Sequence, residues 1–238
     1  MRRFVFPRRL FGGACALGCA AIGFVVAGCG GSGNVDSRRL VPTGPWTTGT
    51  SDHTAETAPP DPAIRVESLP SPFSGKGLLL EGTNRSDDLL LYAAQPLEGL
   101  PAGSTWNVDI DVEILTDTPT GCVGVGGSPG ESVWIVTAAT PFEPATTTVG
   151  GNIQLNIERG NQSQAGPASD VPGTIASTNT DCAVRRAPES KWLRAKRTIP
   201  ASAGNDGRLW ILVGMDSGFE AKSRVWIRDV AVRLRPRP

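Results

Sequence analysis

The chain has 238 residues, 39% of them hydrophobic and 6% aromatic, with 23 Lys and Arg against 23 Asp and Glu. That length bounds it to one or two domains. With 29 Gly, 20 Pro and no long run of helix formers between residues 60 and 238, a helical bundle is excluded and an all-β domain favoured. Every acid follows residue 28, whereas Arg2, Arg3, Arg8 and Arg9 precede it, so a product beginning at Cys29 has 19 bases against 23 acids, a formal charge of −4. Such a charge argues against a nucleic-acid partner. The single histidine, His53, lies in a Thr/Ser/Pro-rich stretch expected outside the folded part, which sets aside histidine triads and zinc sites there.

Residues 1–28 read as a lipoprotein signal peptide. Four arginines and no acid precede an apolar or small run, residues 14–28, directly before Cys29. Fifteen residues of helix reach roughly 22 Å, short of a bilayer core of ~30 Å, so the run is not expected to stay as a membrane span. Val26-Ala27-Gly28-Cys29 resembles a bacterial lipobox, which implies that Cys29 carries diacylglycerol and anchors the exported chain in the cell envelope. Arg8-Arg9-Leu10-Phe11 also resembles a twin-arginine export signal, leaving the export route open. Residues 29–62 hold Gly-Gly-Ser-Gly-Asn and five prolines without apolar periodicity, and are expected to form a flexible tether.

Residues 63–238 are expected to form the folded domain. Trp106, Val108, Ile110, Val112 and Ile114 alternate with Asn107, Asp109, Asp111 and Glu113, the pattern of a strand with one polar face. Leu78-Leu79-Leu80 and Leu89-Leu90-Leu91-Tyr92 suit central strands. Further strands are expected at 132–137, 152–157, 192–199, 208–213 and 224–234, separated by Gly, Pro, Asn and Asp. Eight to ten such strands imply a two-sheet β-sandwich, with a jelly roll as the expected form. Cys122 and Cys182 are the two cysteines beyond Cys29, and in an exported chain they are expected to pair as a disulfide.

Leu97-Glu98-Gly99-Leu100-Pro101-Ala102-Gly103-Ser104-Thr105-Trp106-Asn107-Val108 resembles a loop and strand of bacterial extracellular jelly rolls of the galactose-binding-like and carbohydrate-binding-module kind. Val225-Trp226-Ile227-Arg228-Asp229-Val230-Ala231-Val232 resembles their closing strand. With the segments 84–88, 124–133, 160–163 and 216–220, residues 76–234 resemble a family of secreted bacterial lipoproteins of unassigned function. The resemblance implies a fold and an address, and no reaction.

The glycines from 121 to 130 do not form a phosphate loop, because Glu131-Ser132-Val133-Trp134 continues as a strand where a helix would be needed. Asp109, Asp111 and Glu113 sit ~7 Å apart on one strand face, which suits either a solvated face or paired-carboxylate glycosidase chemistry. Trp134, Trp192, Trp210 and Trp226 suit either core packing or stacking on sugar rings. The ligand or metal candidates are Asn84, Arg85, Asp87, Asp88, Glu131, Asn161, Asp216 and Glu220, all at strand boundaries whose loops gather at the ends of a sandwich. Asp87, Asp88, Glu131, Asp216 and Glu220 are expected to share one end, with Arg85 or Ca²⁺ neutralising them; the same oxygens suit sugar hydroxyls. The expected function is non-catalytic binding of a glycan or other envelope polymer. A carboxylate-based polysaccharide hydrolase and an assembly lipoprotein without small ligand are the alternatives.

Overall fold

The computed structural model describes residues 35–238. The signal peptide, Cys29 and the first part of the expected tether therefore lie outside the described residues. The strands are β1 (Asp36–Leu40), β2 (Thr47–Ser51), β3 (His53–Thr54), β4 (Ala63–Ser68), β5 (Lys76–Thr83), β6 (Leu89–Leu97), β7 (Thr105–Thr116), β8 (Val133–Thr140), β9 (Thr146–Val149), β10 (Asn152–Leu155), β11 (Gly160–Asn161), β12 (Gln164–Ala165), β13 (Ser169–Thr174), β14 (Glu189–Leu193), β15 (Ile199–Ser202), β16 (Leu209–Ser217) and β17 (Lys222–Pro236). Among the described residues there is no helix.

Two antiparallel sheets face each other. The front sheet runs β14, β7, β17, β5, β4, with β15 continuing beside β7 and β1 beside the second half of β17. The back sheet runs β13, β8, β16, β6, β2. The long strands β5, β6, β7 and β8 alternate between the sheets, as do β16 and β17, which makes the sandwich a jelly roll.

The alternation read in residues 106–114 does what its period requires. Val108, Ile110, Val112 and Ile114 point into the core between the sheets, opposite Leu89, Leu91, Ile211, Val213 and Met215 of the back sheet. Each fully buried leucine or isoleucine contributes roughly 1.5 to 3 kcal/mol. In β17 the inward phase changes, from Val225 and Ile227 to Val230, Val232 and Leu234, because a bulge between Ile227 and Asp229 inserts one residue. The run Leu89 to Tyr92 is apolar on both faces for a different reason. Leu90, Tyr92 and Leu212 look outward from the back sheet and are covered by Leu155, Ile157 and Ala168 of the segment that follows β8.

Three expectations need correction. The tether does not reach residue 62. β1 pairs with β17 from Asp36 to Leu40 and β2 pairs with β6 from Thr47 to Ser51, so both are strands of the sandwich, while β3 joins β10 and β9 in a separate three-stranded sheet. These polar edge strands bring few apolar side chains, since backbone pairing with a formed sheet holds them. Leu40 is buried and Trp46 packs on the core while its Nε1 donates to the Pro42 carbonyl at 3.0 Å. Gly49 is required where it stands, because a Cβ there would sit 2.6 Å from the Tyr92 hydroxyl. Second, His53 is inside the domain and buried, its ring nitrogens meeting the Thr50 hydroxyl at 2.9 Å and the Thr54 carbonyl at 3.0 Å. Third, the strand expected over 192–199 is broken into β14 and β15, because the amides of Ala195 and Lys196 turn away to the carboxylates of Asp111 and Asp170. Cys122 and Cys182 form the expected disulfide, with Cα atoms 5.7 Å apart, joining the loop after β7 to the loop before β14.

Candidate functional site

Two groups of carboxylates stand out, one at an end of the back sheet and one on the outer face of the front sheet. The first contains most of the residues singled out in the sequence. Asp216, at the end of β16, is 0% exposed and accepts from Arg159 Nη1 at 2.5 Å and from the Gln162 amide at 2.8 Å. Arg159, 5% exposed, also pairs with Asp52, which follows β2. Asp88 completes the group. Burial, then the charge of Asp216 and a hydrogen bond with it, push its carboxyl up to about 8, with Asp52 adding and Arg159 opposing. That shift favours a protonated Asp88 beside Asp216 at neutral pH. The Oδ1 atoms of both residues are buried without a hydrogen-bond partner among the described residues, which a proton held between the two carboxyls would satisfy.

Around this core, Asn84 Nδ2 donates to the Ser217 carbonyl at 2.7 Å, and Gln162 Nε2 donates to the Asp87 carbonyl at 3.0 Å. Asp87 also meets Glu220, whose carboxyl is raised first by that side-chain contact. Glu131 is spent elsewhere. It accepts from the Thr120 and Ser128 hydroxyls and from the Gly121 amide at 2.7 Å, and these bonds outweigh burial to hold it at about 2. Its loop still packs on this end, since the Gly218 amide donates to Ser132 and the Glu220 amide to Val125. Asn161 is exposed in the β11–β12 hairpin. The structure thus joins Asp88 to Asp216 and Asp87 to Glu220, and turns Glu131 inward to its own loop. Arg85 does not neutralise the acids; it is exposed, beside a 280 Å³ hollow bordered by Asp52, His53 and Asp87. The neutralising cation is Arg159. Among the described residues no group of three or more His, Cys, Asp and Glu side chains is arranged to hold a metal ion.

The second group is the polar face of β7. Asp109, Asp111 and Glu113 are not solvated, and arginines from β17 and from the loop after β14 lie over them. Arg233 Nη1 and Arg194 Nη1 reach Asp111 at 2.8 and 2.9 Å, Arg235 reaches Asp109 at 2.9 Å, and Arg228 reaches Glu113 at 2.9 Å. Burial raises the Asp111 carboxyl, but hydrogen bonds from Arg233, the Ala195 amide and Arg194 outweigh it and keep the group below the usual carboxylate range. The acids are inside and the bases outside: Asp111 is 1% exposed and Arg194 65%.

Arg194 and Arg233, with Arg38 and Arg39 of β1, border an open groove of about 480 Å³ across β14, β7, β17 and β1. Register explains the groove. Asp111 faces Ala231, which faces Arg39, and Arg233 faces Ser37, so small side chains floor it between longer ones. Trp192 forms part of one wall, with the Arg194 guanidinium 4.7 Å above its ring. The other tryptophans lie elsewhere: Trp226 is buried with Nε1 on Glu67 at 2.9 Å, Trp210 packs on the covered face of the back sheet, and Trp134 is half-buried. The groove was missed in the sequence because its cations come from β1, β17 and the loop after β14, and of these β1 carries almost no apolar signal; the Arg38-Arg39 pair in a presumed tether was the available signal.

No family model matches the chain, and no curated protein matches it. Among solved structures, a structure of TmCBM61 in complex with beta-1,4-galactotriose is 12% identical over 80% of this chain and 88% of that one, at a TM-score of 0.31. The carbohydrate-binding module TmCBM27, described for specific mannan recognition, is 11% identical over 86% and 99%, at 0.38. The enzymatically active domain of tailspike protein 4 of bacteriophage CBA120 is 8% identical at 0.33, over 78% of this chain, which spans 19% of that protein.

Proposed function

We propose that this chain is an exported lipoprotein, held at the bacterial envelope through lipidated Cys29, whose jelly-roll domain binds glycan without chemical turnover. The observation that carries the binding function is the groove on the front sheet, where hydrogen-bonding guanidinium groups held by buried acids stand beside the half-buried ring of Trp192. Its volume falls in the range of ~300 to 1,000 Å³ usual for ligand sites. Aromatic faces and planar donor groups are the chemistry that recognises sugar rings and their hydroxyls.

Turnover finds little support in the same residues. The carboxylates of β7 are held by arginine, and Asp111 is kept ionised, so none of them is a ready proton donor. The proton on Asp88 is directed to Asp216, which solvent does not reach. The address is supported by the lipobox resemblance and by the Cys122–Cys182 disulfide, a bond typical of oxidising compartments.

The test is a broad glycan array with the full-length chain in non-ionic detergent, with reducing ends assayed in parallel. Binding without release of reducing ends is expected; release overturns the non-catalytic reading, and an array with no binder overturns the glycan reading. Replacing Cys29 with Ser is expected to free the protein from membranes after a salt wash. Retention would end the lipid-anchor reading.

A further inference from the structure

Resting on the glycan-binding reading, we infer that the front-sheet groove selects an anionic polysaccharide, a chain carrying repeated carboxylate or sulfate groups. Formal charge for the whole chain conceals the reason, because charge is sorted by depth. Six guanidinium groups, those of Arg38, Arg39, Arg194, Arg228, Arg233 and Arg235, are paired with Asp36, Asp109, Asp111, Glu113 and Asp229. The carboxylates on β7 are nearly buried, whereas Arg39 and Arg194 are 64% and 65% exposed. What solvent meets is mostly guanidinium.

Those two arginines are also prepared to bind. Arg194 engages Asp111 through Nη1 alone, and Arg39 engages Asp229 through Nη1 alone, so among the described residues their other N–H groups make no side-chain hydrogen bond. A guanidinium has five donors in a planar fork matched to carboxylate, sulfate or phosphate. Trp192 fixes the plane of Arg194, which lowers the ordering cost of a bidentate bond. Arg194 follows β14 and Arg39 lies on β1, so the two enter the groove from opposite sides of β7 and β17. Two separate arginines with spare donors suit a polymer that carries more than one anionic group. The groove floor at Ala231 and Ser37 lies below its arginine rim, a shape that suits an extended chain better than a flat membrane surface.

The experiment compares matched polymers by calorimetry on the full-length chain in non-ionic detergent: polygalacturonate against its carboxyl-reduced form, and dextran sulfate against dextran. Duplex DNA and phosphatidylglycerol vesicles are run alongside. At least one charged polymer is expected to bind about tenfold or more tightly than its neutral partner, and Arg39→Ala and Arg194→Ala each to weaken it about tenfold. Both variants keep the fold, because Asp111 retains Arg233 and the Ala195 amide, and Asp229 is partly exposed; a thermal midpoint within about 4 °C of wild type verifies this. Arg194→Lys is expected to fall between wild type and Arg194→Ala, since it retains charge and loses the fork.

Equal affinity for charged and neutral polymers overturns the selection for anions while leaving the glycan reading in place. Binding to neither charged polymer also overturns it, and the array decides separately whether another glycan binds. DNA or vesicles bound as tightly, and lost in the same variants, would replace a glycan groove with a general cationic surface.

Discussion

The acid cluster at the end of the back sheet and the acid row of β7 are built from the same two residue types with opposite stoichiometry and opposite depth. At the end of the back sheet, three aspartates surround one buried guanidinium, and the excess negative charge is relieved by a proton kept on Asp88. On the front sheet, arginines reach inward from solvent over buried acids, and their bonds keep the Asp111 carboxyl below the usual range. Burying the cation makes a structural pin; burying the anion makes a cationic surface. Arg159 pins the segment after β8 to the back sheet, whereas Arg194 and Arg39 keep donors for something else.

The largest expected effect tests the pin. Arg159→Ala should destabilise the fold by about 3 to 5 kcal/mol, because Asp216 and Asp52 are left without their cation. Chemical denaturation measures it, and a loss below about 1 kcal/mol would mean that the cluster relaxes freely. The next effect comes from pH, where the two regions should respond on opposite sides. Asp88 binds its proton more tightly folded than unfolded, so its contribution to stability falls as pH rises from about 4 towards 8. Asp111 is depressed, so its contribution is present above its ordinary value of 3.8 and is lost as pH falls below that. Asp88→Asn, which can still donate to Asp216, should remove the alkaline loss and stabilise the protein at pH 8 by roughly 1 kcal/mol after allowance for partial solvent exposure. An unchanged stability profile from pH 5 to 8 in this variant would show that Asp88 does not hold the proton.

A smaller effect ranks the arginines of the front sheet. Arg233→Ala should cost about 1 to 2 kcal/mol, since it bonds both oxygens of Asp111, and Arg194→Ala less than about 1 kcal/mol. The reverse order in thermal melts would contradict the assignment of Arg233 as support and Arg194 as donor. The smallest effect expected is that of calcium. Since Arg159 already supplies the countercharge, adding calcium or chelator should leave the melting temperature unchanged, and a rise of more than about 3 °C would show that the acid end takes a cation after all.

The sandwich was legible because burial on one face imposes period two, as in Val108 to Ile114, and because Leu89 to Tyr92 announced a strand covered on both sides. β1 and β2 were not, since strands such as Asp-Ser-Arg-Arg-Leu and Thr-Thr-Gly-Thr-Ser are held by pairing with β17 and β6 and carry almost no apolar signal. The acid end was partly legible. Asp88 and Asp216 were recognisable as strand-boundary acids, yet Arg159 is separated from Asp216 by 57 residues and from Asp52 by 107, and no local pattern marks it. The row on β7 was visible as alternation, but whether it faced water or arginine depended on strands from other parts of the chain.

Because β1 begins at Asp36, only seven peptide steps separate it from Cys29. At ~3.5 Å per residue, a leash of that length spans at most about 25 Å, even fully stretched. Were Cys29 lipidated as proposed, that reach would be the upper limit on how far Asp36 could stand from the lipid. A polymer that met the groove beside β1 would then have to come close to the membrane, and one confined to the far side of a thick wall would be out of reach.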